Sequence, residues 1–159
     1  MTRTYVAVAG PGRCDPETAA VAEEVGRELA ARGAVLVCGG LGGAMEAACR
    51  GAKLAGGTTL GILPGSDRGA ANEWVDIAIP TGLGEARNTL VVRAADALVA
   101  VGGEFGTLSE IAFALKTGVR VVGLGTWELG KSGAAVHAFP RAGSPAEAVA
   151  LALAVDSGR

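Results

Sequence analysis

Five consecutive apolar residues, Ala97-Leu98-Val99-Ala100-Val101, stop at Gly102-Gly103, and Gly106-Thr107 then opens an apolar-periodic stretch that ends at Gly118. A continuous apolar run of this length fits a strand buried on both faces, and the stretch beyond the glycines has a helical period. The same succession recurs along the chain, which confines the fold to helices packed on both sides of a parallel sheet. Strands are expected at Tyr5 to Ala9, Ala34 to Cys38, Thr58 to Leu63, Trp74 to Ile79, Ala97 to Val101 and Val119 to Leu124. Helices are expected at Pro16 to Ala31, Gly43 to Ala55, Glu85 to Ala95, Thr107 to Thr117 and from Pro145 to about Val155. Asp15 as N-cap, Pro16 at the first helical position and Gly33 past the end bound the first helix. The expected class is a doubly wound α/β domain, with a mostly parallel sheet of about six or seven strands. The 159 residues suffice for one domain with one core.

A strand, a glycine turn and a helix N-terminus in that order form a natural anion site. Backbone amides and the positive end of the helix dipole converge there, and glycine admits a phosphate closely. Gly102, Gly103, Glu104, Phe105, Gly106 and Thr107 are therefore candidate phosphate-binding residues. A second G-G-x-x-G frame, Gly39-Gly40-Leu41-Gly42-Gly43, follows the second strand, and the Gly10-Pro11-Gly12 corner follows the first. Gly10, Gly39, Gly40 and Gly43 join the candidates, although such corners also need glycine for positive φ and close packing alone. Glu110 stands three residues after Thr107, the spacing of a capping box, and the same position would put a carboxylate beside the turn. Arg87 falls in the first turn of the expected Glu85 helix, where a cation opposes the dipole and a bound anion would account for it.

Other chemistries fit poorly. A formal charge of -2 with scattered basic residues gives no nucleic-acid surface. No apolar run reaches the ~18 residues of a membrane span, and the N-terminus leads straight into a strand. Cys14, Cys38 and Cys49 lack C-x-x-C spacing and His137 stands alone, so no metal site is expected; reduced thiols point to a cytoplasmic compartment. A dinucleotide site lacks its G-x-G-x-x-G and the acid after strand two. Gly125-Thr126-Trp127-Glu128-Leu129-Gly130-Lys131-Ser132 matches G-x-x-x-x-G-K-[ST] literally, but the segment after Ser132 is short and closes at Pro140. A glycine-rich surface loop is the expected reading there.

With Arg87, Gly39 to Gly61 and the Gly103 to Glu110 stretch in view, the chain resembles the LOG-like proteins, once labelled possible lysine decarboxylases. Closer still are their short bacterial branch and the related molybdenum-cofactor carrier proteins. The resemblance implies a Rossmann-like fold, a homodimer or homotetramer, and cleavage of the N-glycosidic bond of nucleoside 5′-monophosphates, with no cofactor required. Its alternative is a non-catalytic carrier or sensor of a phosphate-bearing cofactor such as molybdenum cofactor. It implies Arg87 and Glu110 as the catalytic pair, and Gly103, Gly106 and Thr107 as the phosphate turn. Gly102, Glu104 and Asn88 stand where the family motif has proline, glycine and lysine. A decarboxylase would need a Schiff-base lysine, and none adjoins the motif.

Overall fold

The computed structural model describes residues 2–155. Six strands form one sheet: β1 (Tyr5–Ala9), β2 (Val35–Cys38), β3 (Thr58–Leu63), β4 (Ile77–Pro80), β5 (Ala97–Val101) and β6 (Arg120–Leu124). Their order is β4-β3-β2-β1-β5-β6, and every neighbouring pair runs parallel. The helices are α1 (Pro16–Ala31), α2 (Ala44–Leu54), α3 (Asn88–Arg93), α4 (Phe105–Thr117) and α5 (Pro145–Ala152). Val6, Val8, Leu36 and Val99 pack under α1, α2 and α5, whereas Ala7, Ala9, Val37 and Leu98 pack under α3 and α4. Successive strand residues serve opposite cores, which is why the strands read as unbroken apolar runs.

Local chemistry sets the helix ends. The Asp15 carboxylate accepts the Thr18 amide at 2.7 Å, and Pro16 spends its missing N–H where none is needed. Gly118 closes α4 in the left-handed region. Between α1 and α2, a Cβ on Gly26 would lie 1.9 Å from the Ala48 carbonyl oxygen, and one on Gly51 would lie 1.9 Å from that of Glu23. The two helices therefore meet backbone to backbone.

Several expected boundaries move. In place of a helix from Glu85 to Ala95, a 3-10 turn (Gly84–Arg87) leads into the short α3. The fourth strand starts at Ile77, since Thr59 takes the Trp74 carbonyl and the Asp76 amide through its hydroxyl. α4 begins at Phe105, two residues early, and α5 stops at Ala152. Around Lys131-Ser132 there is a hairpin, β7 (Leu129–Lys131) against β8 (Ala134–Val136). Its two turn residues, Ser132 and Gly133, have φ of 52° and 81°, as a tight hairpin turn requires. No helix opens at the lysine, so the P-loop match is a hairpin.

Candidate functional site

The strand order reverses between β1 and β5, so the loops leaving their carboxyl ends part and leave a crevice. Gly10, Pro11 and Gly12 from the first loop and Glu104 from the second border a pocket of about 220 Å³. Met45, Arg87, Asn88, Gly106, Thr107 and Glu110 complete its wall. Arg87, Asn88 and Gly106 also border a larger outer cavity of about 750 Å³, whose apolar wall is Leu41, Pro64, Phe105 and Phe113. Glu85, Thr89 and Ser109 supply the rest of its polar lining.

The turn into α4 is built from Gly102 (φ 56°) and Gly103 (φ 130°), conformations that a side chain would strain. A Cβ on Gly103 would also lie 2.6 Å from that of Thr107. Glu104 occupies the N-cap, yet its side chain caps nothing, which leaves the first amides of the helix unclaimed. Thr107 lies inside the first turn and is 2% exposed, with no partner for its hydroxyl. The expected capping box with Glu110 is therefore absent, because the helix starts at Phe105 and Thr107 is no longer at its cap.

Arg87 ends the 3-10 turn rather than lying in the first turn of a longer helix, and only 8% of it is exposed. Gly39 makes room for it: a Cβ there would lie 2.7 Å from Arg87 Nη1. Nη1 donates to Asn88 Oδ1 at 2.5 Å, and Asn88 Nδ2 donates to Ser109 Oγ at 3.4 Å, which ties α3 to α4. Arg87 Nε is buried without a partner. Burial lowers the arginine's pKa, opposed by the charge of Glu110, and the guanidinium remains a cation. Beneath it, Cys38 Sγ lies 3.5 Å from Cys49 Sγ and accepts the Gly40 amide at 3.3 Å. The hydrogen bond to Cys38, then burial, push the Cys49 thiol up.

Burial raises the Glu110 carboxyl to about 7, against the pull of the Arg87 charge. From about 4.5, the ordinary value, to about 7, the folded chain holds a proton that the unfolded chain has released. Stability from this group should therefore be full below that window and fall as pH rises through it. Glu110→Gln should remove the slope and outlast the parent by on the order of 3 kcal/mol at pH 8, with little advantage near pH 4.5. Urea unfolding of both proteins at the two pH values measures this; an advantage that is independent of pH would contradict it.

The fold thus brings Gly10, Arg87, Glu104, Gly106, Thr107 and Glu110 to one pocket, with Phe105 on the adjoining cavity. Five other candidates do not line either space, and the first of them, Gly103, packs on the Thr107 side chain within the turn. Gly102 faces a separate crevice beside Thr18, Val21 and Gly143. Gly39 backs Arg87, Gly40 (φ 77°) packs on the Leu63 side chain, and Gly43 (φ 66°) lies over the Pro11 carbonyl. Sequence reasoning missed Met45, and it took Asn88 only for an absent lysine rather than the acceptor that orients Arg87. It also missed Asn72, whose amide and side chain hold the Gly40 and Leu41 carbonyls, and Trp127, which donates to the Glu104 carbonyl at 3.2 Å. No local spacing pointed to either, since both act across loops distant in sequence.

A doubly wound, Rossmann-like α/β fold with a polar pocket at its switch point is the class these features define. The chain belongs to the SLOG cluster4 family, whose profile matches residues 3–149. An uncharacterised protein of Archaeoglobus fulgidus is 50% identical over 124 residues, 78% of this chain and 82% of that one. The molybdenum cofactor binding protein of the phototrophic bacterium Rippkaea orientalis superposes with a TM-score of 0.85 at 36% identity, covering 95% of this chain and 96% of that chain. The molybdenum cofactor carrier protein of Chlamydomonas reinhardtii gives a TM-score of 0.81 at 36% identity, over 93% and 95% of the two chains. Among the described residues, no group of three or more histidine, cysteine or carboxylate side chains could hold a metal ion, and no helix is long and apolar enough to cross a membrane.

Proposed function

We propose that this protein is a non-catalytic carrier or sensor of a phosphate-bearing small molecule, held with its phosphate at the N-terminus of α4 and its remainder in the outer cavity. One observation carries the reading. Thr107 Oγ1 and Arg87 Nε are both buried without a partner at the wall of one pocket. Buried polar atoms are nearly always satisfied, and a small turn of the two side chains toward the pocket would let oxygens of one anion satisfy both. The free amides at the start of α4 add the donors and the dipole such an anion seeks.

Molybdenum cofactor is the ligand this reading favours, on the similarity to the Rippkaea and Chlamydomonas proteins. Its chemistry suits the residues present: a terminal phosphate for Arg87 and Thr107, and a pterin for the apolar outer cavity. Cofactor released from a molybdoenzyme is mixed with the protein and passed through a desalting column, and the molybdenum and pterin that co-elute are measured. Near-stoichiometric retention is expected for the parent and a loss of tenfold or more for Thr107→Val, which keeps the shape and removes the hydroxyl. Cofactor that elutes wholly free of the parent protein would overturn the reading.

A second reading, hydrolysis of nucleoside 5′-monophosphates, is favoured by Glu110 alone. A carboxyl near 7, beside an arginine in the phosphate pocket, is matched to proton transfer at neutral pH. Incubation with a panel of these nucleotides tests it. Free base released by the parent but not by Glu110→Gln would replace the carrier with an enzyme.

A further inference from the structure

Phe105 is 74% exposed, although it is the first residue of α4 and adjoins the phosphate turn. Isolated exposed apolar residues are ordinary, but this one is buttressed. Its ring lies 5.5 Å from that of Trp127, tilted by 34°. Trp127 is itself fixed: its indole N–H donates to the Glu104 carbonyl at 3.2 Å, and its own carbonyl accepts Arg141 Nη2 at 2.6 Å. The neighbouring Thr126 hydroxyl donates to the Gly102 carbonyl. The segment after β6 is thus strapped to the phosphate turn, and it holds the Phe105 ring from behind. The ring borders the outer cavity with Leu41, Pro64 and Phe113. Gly106, the next residue, borders both spaces, so a molecule that runs from the pocket into the cavity passes Phe105.

We infer that Phe105, backed by Trp127, is the platform on which the planar heteroaromatic ring of the phosphate ligand stacks, and that it sets the preference for such ligands over simple sugar phosphates. This rests on the phosphate site proposed above. An aromatic held rigid in advance loses little entropy on stacking, and stacking tolerates many ring types because each presents a π-face.

Calorimetric titration with GMP and with ribose 5-phosphate tests the platform, since the two share a phosphorylated ribose and differ in the base. The parent should bind GMP tenfold or more tightly than ribose 5-phosphate. Phe105→Ala should abolish that advantage while leaving ribose 5-phosphate within about twofold, and Phe105→Tyr should restore it. The chain has two tryptophans. In Trp74→Phe, where Trp127 alone emits, GMP should quench fluorescence and ribose 5-phosphate should not. Equal affinities for the two ligands in the parent, or equal weakening of both by Phe105→Ala, would overturn the platform but leave the phosphate site standing. Failure of both ligands, and of inorganic phosphate, to bind the parent would overturn the phosphate site and the platform with it.

Discussion

Arg87→Met should weaken binding of ribose 5-phosphate by about a hundredfold or more while the chain stays folded. Truncating a buried, charged partner of an anion costs roughly 2–5 kcal/mol, and about 2.7 kcal/mol is a hundredfold. Methionine fills much of the space that Gly39 leaves for the arginine, so little cavity forms. The cation's departure does not strand a charge either. Without Arg87, burial of Glu110 is no longer opposed, and its carboxyl moves further up and stays neutral near pH 7. Titration calorimetry measures the affinity and thermal unfolding measures the fold. A loss below tenfold with an unchanged melting temperature would mean that Thr107 and the α4 amides hold the phosphate without the arginine. Gly39→Ala makes a milder version of the same test, since its methyl displaces the guanidinium with no change of charge.

Gly26→Leu should cost about 3 kcal/mol or more in stability and lower the melting temperature by roughly 10 °C. The new Cβ alone would lie 1.9 Å from the Ala48 carbonyl oxygen, with 3.0 Å to the Ala52 nitrogen, and both neighbours are backbone. No rotamer relieves that contact, so α1 and α2 must separate. Their apolar faces, Ala22, Val25 and Leu29 on one and Ala44, Ala48 and Ala52 on the other, lie over the same side of the sheet. Separation loses packing along the whole layer rather than at one atom. Gly65→Ala is the control: a Cβ there meets nothing within 4 Å, and a change within about 0.5 kcal/mol is expected. A Gly26→Leu loss under 1 kcal/mol by urea unfolding would show that the two helices slide freely, contrary to the contact described.

The strands were legible because burial on both faces leaves an unbroken apolar run. β1, β3 and β5 fall at the expected residues, and α1 does so through its Asp15-Pro16 start. Local patterns failed where a distant contact outweighed them. Trp74 to Asp76 has strand character, yet the Thr59 hydroxyl bends it out of register. Thr107 and Glu110 have capping-box spacing, yet the helix begins two residues earlier. Lys131-Ser132 completes a P-loop string, yet positive φ at two successive residues turns it into a hairpin. The candidate site divides in the same way. Its glycine corner at the start of α4, the proposed anion site, was readable from glycines next to a helix start, because backbone amides and the dipole are set by local geometry.

By itself, then, the sequence determined the doubly wound class, the placement of the glycine corner before α4 and the candidacy of Arg87 and Glu110. Periodicity, turn chemistry and helix ends act over a few neighbouring residues, so they can be read from a string. Only the tertiary structure decided which glycines face the pocket and which merely let backbones touch, as at Gly26, Gly39 and Gly43. It alone buried Glu110 deeply enough to hold a proton near neutrality, aimed Arg87 through Asn88, and set Trp127 behind Phe105. Desolvation, close packing and stacking depend on what the fold brings from elsewhere in the chain, and no local spacing records that.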